Sequence, residues 1–386
     1  MNTKIAISAL SSISSLGSDT DTIWKNYNSD SHFLSPGIYG NYQAMAGALS
    51  AEELDKIQAL RVEDPKYKPL DNSVLYAMLV ARDALKSSGW QKGDVFGVNI
   101  GSSRGATSLF EKFYDDFLKD GNSSTLASPT TTLGNISSWI AHDLQTKGPD
   151  ISHSITCSTA LHAVVNGVAW ISSGMCDKFM VGGSEAALTP FTIAQIKALK
   201  IYAEANDNYP CKALDLTKKR NTMVLGEGAA VVCLEENPKV TPLAYIKGIG
   251  YATEILKHNI SISKEADCFQ DSMNMALKDT DKSEVDVIVM HAPGTIKGDL
   301  TELKAINKVF KDKVPALTTN KWKIGHTFGA SGVLSLELAI LMLKHQKFIK
   351  VPYIEYDKTP KNIKNVMINA VGFGGNAVSI LVGLED

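Results

Sequence analysis

The sequence predicts an α/β protein of stacked layers, built from two halves that repeat one plan. Three observations carry this. Apolar strand-like runs alternate with amphipathic helical patterns along the chain. A strand ending in a small-residue turn occurs in each half, at 94–102 (DVFGVNIGS) and 285–295 (VDVIVMHAPGT). Each half also has an apolar helix entered through small residues, at 158–174 and 329–346.

Taken in order, the chain opens on an apolar run at 5–13, read as a strand and closed by Leu16-Gly17. SDTDTIW follows, with acidic and hydroxyl groups suited to the free N–H groups of a helix start. At 71–89, Val74, Leu75, Met78, Ala81 and Leu85 recur at helical spacing, and Gly89 stops the helix. Residues 94–102 then read as a buried strand. In 158–174, Leu161, Val164, Val165 and Val168 share a helical face. KFMVGGSEAA (178–187) and NAVGFGGNAVSILVG (369–383) both read as strands interrupted by a double glycine, and 200–222 as an irregular connector. The expected division is 1–237 and 238–386.

The composition excludes several classes of function. With 386 residues, 44% of them hydrophobic, there is material for a large core. Near-equal basic and acidic counts, 39 and 41, give no electrostatic footprint for nucleic acid or an anionic membrane. The first ten residues are too short and polar for a secretory signal, and no run of about 18 apolar residues predicts a membrane span. Five cysteines, an odd number without a CxxC pair, argue against a disulfide framework or a metal site. A reducing cytoplasm is the expected setting.

Candidate chemistry begins at Cys157, in ITCSTALHAV. If a helix starts near Ser158, the sulfur lies at its N-terminus, where free N–H groups and the dipole lower a thiol pKa. Free cysteines are also frequent core fillers, so position alone leaves Cys157 between filler and nucleophile. The other four cysteines read as core. Two histidines stand in informative places. His291 follows the strand DVIVM, at a strand end favoured for chemistry in α/β folds, and His326 lies among Gly325, Gly329 and Gly332. His32, His142, His153, His258 and His345 read as surface or satisfied residues, and His162 as packing.

Several motifs occur in a fixed order: TCSTALHA at Cys157, HAPGTIKGDLTE from His291, KWKIGH with GASG around His326, and GFGG at 372–375. Together with AISALSSISSLGSDTDTIW, TLGNISSWIAHDLQTKGP, GGSEAALTPFTIAQIKAL and VLGEGAAVVCLEE, they span nearly the whole chain. The sequence resembles the β-ketoacyl-acyl-carrier-protein synthases of the elongating Cys-His-His type. The resemblance implies a thiolase-like fold, two α/β halves stacked α-β-α-β-α, and a homodimer or a ketosynthase heterodimer. It implies acyl transfer to Cys157, then decarboxylative condensation with a malonyl carrier, with His291 and His326 serving decarboxylation.

The resemblance further implies that Lys321 and Glu302 form an ion pair orienting the histidines. Phe373 would gate the site and share an oxyanion hole with the Cys157 N–H. Thr295, Gly374 and Gly375 would contact substrate. It implies no bound cofactor, since the phosphopantetheine arrives on the acyl carrier protein, and acyl and malonyl thioesters as substrates. Lys66 and Lys68 are candidates for docking the acidic carrier, against a simple solvated turn. Pro293, Thr222, Asn376 and Ala377 depart from the family pattern. They point to a specialised pathway, for polyene or polyketide-like products. Two other readings remain: a coenzyme A thiolase, which normally carries a second cysteine near the C-terminus, and a chain-length-factor-like subunit without catalysis of its own.

Overall fold

Strand directions reveal the plan of the molecule. The computed structural model describes residues 4–133, 135–204, 208–255, 262–311 and 313–385, so His258 lies outside the described residues. The strands are β1 (Ile5–Ile13), β2 (Ser35–Tyr39), β3 (Tyr42–Gly47), β4 (Gly97–Gly101), β5 (Asp150–Ile151), β6 (Lys178–Glu185) and β7 (Leu225–Gly226). They continue with β8 (Gly228–Glu235), β9 (Ala244–Thr253), β10 (Val287–Val289), β11 (Ala316–Thr318), β12 (Asn365–Gly372) and β13 (Asn376–Gly383). Ten of these pair in the order β11-β10-β12-β13-β9-β1-β8-β6-β4-β5, and β2, β3 and β7 form a small separate sheet.

The ten-stranded sheet divides at β1–β9, where only Ile5, Ile7 and Ala6 pair with Ile246, Ala244 and Tyr245. On one side β5, β4 and β6 run parallel and β8 and β1 antiparallel. On the other, β11, β10 and β12 run parallel and β13 and β9 antiparallel. The two arrays thus repeat one pattern of directions.

Their layering follows from which face each side chain takes. Helices Thr159–Ser172 and Ser331–His345 share one apolar core with Phe179, Val181 and Val232 of one array and Val289, Ile368 and Ile380 of the other. The opposite faces meet helix Asn72–Ser88 through Ile100, Met180 and Val231, and helices Asp267–Ala276 and Ile296–Phe310 through Ile288, Met367 and Leu381. Five layers result, α-β-α-β-α. Every residue from Ser331 to Leu343 is buried, which explains a helix apolar on all sides. The stretch Phe328–His345 is long and apolar enough to cross a membrane by composition alone, but 89% of it is buried between the arrays. Each fully buried Leu or Ile there contributes roughly 1.5–3 kcal/mol.

The predicted helix ends are well matched. Asp19 and Asp71 accept N–H groups at the starts of Thr20–Tyr27 and Asn72–Ser88, and Gly89 closes the latter at φ 75°. The reading of two strands interrupted by glycines is corrected. β6 runs straight through Gly182 and Gly183, where a Cβ would lie 2.1 Å from the Ala230 carbonyl and 2.6 Å from that of Gly329. At the second site the chain reverses, because Gly374 and Gly375 take φ 98° and 73°, and two antiparallel strands result.

Candidate active site

Cys157 sits on a sharp elbow between β5 and helix Thr159–Ser172. Thr156 before it holds φ 49°, a left-handed conformation costly for a β-branched residue. Short hydrogen bonds hold the elbow: the Ser158 hydroxyl donates to the Ile155 carbonyl at 2.9 Å and the Thr159 hydroxyl to that of Thr156 at 2.6 Å. The close approach of β12 adds a steric wall, since a Cβ on Gly372 would lie 1.9 Å from Thr156 Oγ1. Cys157 is only 6% exposed.

The helix N-terminus does not leave this thiol acidic, contrary to the expectation. Burial pushes it up to about 12, and the buried Glu185 carboxyl adds to the rise, against smaller opposing effects of Lys321 and Arg104. Removing the sulfur from water outweighs one helix end. Glu185, at the end of β6, accepts from Arg104 N–H at 3.1 Å and Gly329 N–H at 3.0 Å. It ties turns from both halves together directly behind the cysteine.

His291 follows β10, at the strand end expected of it. Its N–H and that of Ala292 donate to the two carboxyl oxygens of Glu302, at 2.9 Å each. Ala292 has φ 23°, so the carboxyl holds a backbone turn that the chain alone would disfavour. Glu302 comes from helix Ile296–Phe310, whose N-terminus Thr295 caps by accepting from Gly298 N–H at 3.1 Å. Burial raises Glu302 to about 7.

His326 is fixed through its backbone. Its N–H donates to Val224 at 2.7 Å and its carbonyl accepts from Gly226 N–H at 3.0 Å. The two imidazoles meet edge to face, with centroids 5.2 Å apart. Both ring nitrogens of His326 and Nδ1 of His291 are buried without a protein partner. Burial and the nearby Lys321 push His291 down to about 3. His326 lies well below its usual value, first through burial and then through His291. Both rings are therefore neutral at neutral pH.

The expected ion pair between Lys321 and Glu302 is not formed. Lys321 Nζ donates to Asn320 Oδ1 at 3.1 Å and Ser335 Oγ at 3.3 Å, while Glu302 is committed to the His291 turn. The two groups act on each other only through space, and burial lowers Lys321 to about 8. Two residues on, Lys323 donates to the carbonyls of Asn26, Ser29 and Ser31 at 2.8, 2.5 and 2.8 Å. Its ammonium also lies over the Trp322 and Phe33 rings, so segment 26–33 is anchored to the turn that carries His326.

Two cavities meet at Cys157 and Phe373. One, of about 230 Å³, is lined by His291, His326, Thr295, Glu302, Pro293 and Asn221 among others. The second, of about 420 Å³, is lined by Arg104, Phe110, Glu111, Phe191 and Phe328. Phe373, 41% exposed, stands between them at the head of the β12–β13 turn. Gly374 and Gly375 form that turn and line neither cavity, whereas Phe373 lines both and Gly372 the smaller one. Among the other histidines, His153 contacts Asn99, His162 the Ser158 carbonyl, and His345 stacks on Trp24. Sequence reasoning missed Arg104, Glu185 and Phe328. The small-residue turn GSSRGA after β4 was the one local signal for Arg104.

Comparison with known proteins decides the family. Residues 2–239 match the family described as "Beta-ketoacyl synthase, N-terminal domain" and residues 243–355 its partner, "Beta-ketoacyl synthase, C-terminal domain". The chain belongs to the β-ketoacyl synthase family. This synthase is 28% identical to the 3-oxoacyl-[acyl-carrier-protein] synthase 2 of Coxiella burnetii, with 99% of each chain covered. It is 25% identical to nodulation protein E of Rhizobium meliloti, over 98% of each. In fold, the synthase resembles a β-ketoacyl synthase from Burkholderia phymatum, with a TM-score of 0.86, 21% identity and 100% of each chain covered. It is equally close to the ishigamide ketosynthase/chain length factor, with a TM-score of 0.85, 20% identity and full coverage of both chains.

Proposed function

We propose that the chain catalyses decarboxylative condensation of an acyl group with a malonyl unit carried on acyl carrier protein. The observation that carries this is the convergence, at one cavity, of Cys157 with two neutral histidines whose buried ring nitrogens lack protein partners. Unpartnered buried nitrogens are costly, so their place is beside a ligand that uses them.

In the first half-reaction the Cys157 sulfur attacks the acyl thioester carbonyl. The carrier C–S bond breaks, and the carrier thiol leaves with the proton from Cys157. With the free thiol near 12, ionisation is tied to substrate arrival rather than standing ready. In the second, the malonyl carboxylate leaves as carbon dioxide, and its bonding electrons form an enolate whose oxygen accepts hydrogen bonds from His291 and His326. The enolate carbon attacks the acyl-cysteine carbonyl, the C–S bond to Cys157 breaks, the departing sulfur takes a proton from water, and a chain two carbons longer departs on the carrier. Neutral imidazoles suit this step, because each can present an N–H without a proton having been taken up first.

Phe373, shared by both cavities, is placed to separate the acyl group from the malonyl arm, and Thr295 keeps its hydroxyl proton for that arm while accepting from Gly298. The relatives' printed names support a carrier protein as the donor. A groove lined by Lys66, Lys92, His142 and Lys147 has the sign an acidic carrier requires, although Lys66 also contacts Asp64. Helix Thr107–Asp120 has no buried residue and exposes Phe110, Tyr114, Phe117 and Leu118, which supports a second ketosynthase subunit covering that face.

Acylation of Cys157 by an acyl carrier thioester, read by intact mass, tests the first step, and carbon dioxide release from a malonyl carrier tests the second. Cys157→Ala is expected to abolish labelling, and His291→Ala or His326→Ala to abolish carbon dioxide release. Undiminished condensation by His291→Ala would refute the mechanism.

A further inference from the structure

The larger cavity beside Cys157 is not a plain hydrocarbon pocket. Phe110, Phe191 and Phe328 line it, but Arg104 and Glu111 also face it. Arg104 reaches it from the turn after β4, with its backbone N–H on Glu185. Its guanidinium lies 5.1 Å over the Phe328 ring and, among the described residues, donates once, from Nη1 to Gln195 Oε1 at 2.7 Å. A guanidinium has five N–H donors in a rigid fork, so most of its capacity remains for water or a ligand. Glu111 holds one carboxylate oxygen on the Thr189 hydroxyl, at 2.5 Å, which leaves the other as an acceptor.

We infer that this cavity selects acyl groups bearing a neutral oxygen function, keto or hydroxyl, over plain alkyl chains. The inference rests on the ketosynthase reading and deepens it by naming the substrate class. An alkyl chain that displaces water from Arg104 leaves charged donors unpaired, which is costly. A chain with a carbonyl or hydroxyl oxygen replaces the lost water at the guanidinium. A terminal carboxylate would satisfy Arg104 but meet Glu111 of like charge in the same cavity. Arg104 is thereby a specificity-determining residue, and Phe328 fixes where its plane lies.

The experiment compares rates of Cys157 acylation by hexanoyl, 3-oxohexanoyl, 5-oxohexanoyl and adipoyl carrier thioesters, read by intact mass. At least one oxo chain is expected to load about tenfold faster than hexanoyl, the scale set by an unpaired polar group beside the bound chain. Arg104→Leu should bring that ratio to within about twofold, through faster hexanoyl and slower oxo loading. A ratio is used because Arg104 also acts on the thiol, and any general loss of activity or stability cancels between substrates. Glu111→Gln should raise adipoyl loading alone. Hexanoyl loading as fast as both oxo chains, or a preference that survives Arg104→Leu, overturns the inference and leaves the ketosynthase reading standing. Adipoyl loading faster than both oxo chains in the wild type overturns the choice of a neutral oxygen. No labelling of Cys157 by any thioester overturns both readings.

Discussion

Glu302 receives the backbone N–H groups of both His291 and Ala292, one on each carboxyl oxygen, at 2.9 Å. The carboxyl is thus a template for the turn that aims His291, rather than one half of an ion pair. Glu302→Gln replaces one acceptor with an NH₂ group facing an N–H. The expected result is a stability loss of about 1–3 kcal/mol. Carbon dioxide release from malonyl carrier should fall about tenfold or more, with Cys157 acylation changing less than about twofold, since only the histidine is misaimed. Urea unfolding and the two partial reactions measure this.

The pH dependence of stability offers a second check. Unfolded, His291 takes a proton below about 6.5, whereas burial keeps it neutral in the fold down to about 3. Folding is therefore weakened as pH falls through that window. Glu302 acts oppositely: burial keeps it protonated up to about 7, whereas the unfolded group ionises near 4.5, so stability is lost as pH rises between them. The slopes oppose each other between 4.5 and 6.5. Glu302→Gln removes one of them, so the stability of this variant should climb more steeply with pH across that window than the wild type. Urea midpoints at both ends of the window decide it.

Lys321 is buried as an ammonium with two neutral acceptors and no carboxylate at bonding distance, and burial lowers it to about 8. Below that pH it carries a charge that costs stability. Lys321→Met should therefore raise the melting temperature by about 2–4 °C at pH 7. A variant no more stable than the wild type would contradict this account.

The elbow at Cys157 depends on an absent side chain. Gly372→Ala drives a methyl group to 1.9 Å from Thr156 Oγ1, so β12 or the elbow must shift. The expected cost is about 1–3 kcal/mol, as for other overpacked sites. Acylation of Cys157 should slow about tenfold or more, because a small displacement of a nucleophile is expensive. Stopped acylation assays and thermal melts report both effects.

Much of the frame is legible in the sequence. Helical spacing at 71–89 and the stop at Gly89 mark a helix whose end is set by local chemistry. The repeated strand-turn pattern at β4 and β10 exposes the duplication. The double glycines were misleading because identical residues serve opposite needs: Gly182 and Gly183 admit a neighbouring backbone, whereas Gly374 and Gly375 supply positive φ. At the site, the resemblance brought Cys157, His291 and His326 forward, and the structure gathers them at one cavity. Spacing along a chain counts residues but not directions, so it could not show that Glu302 turns to backbone N–H groups and Lys321 to Ser335. Arg104, Glu185 and Phe328 meet only after both halves are assembled, and no local pattern records that meeting.

The pairing of β1 carries a consequence for how the chain is made. Ile5–Ile13 finds its long partner in β8, at Ala229 to Glu235, and its short seam in β9. More than 200 residues separate it from both partners and must be made before it can pair. Until then an apolar nine-residue strand emerges with both edges open, the condition under which nascent chains stick to one another. Such long-range closure is slow. Pairing of this strand therefore waits for the chain as far as Glu235, and its edges stay open over that interval.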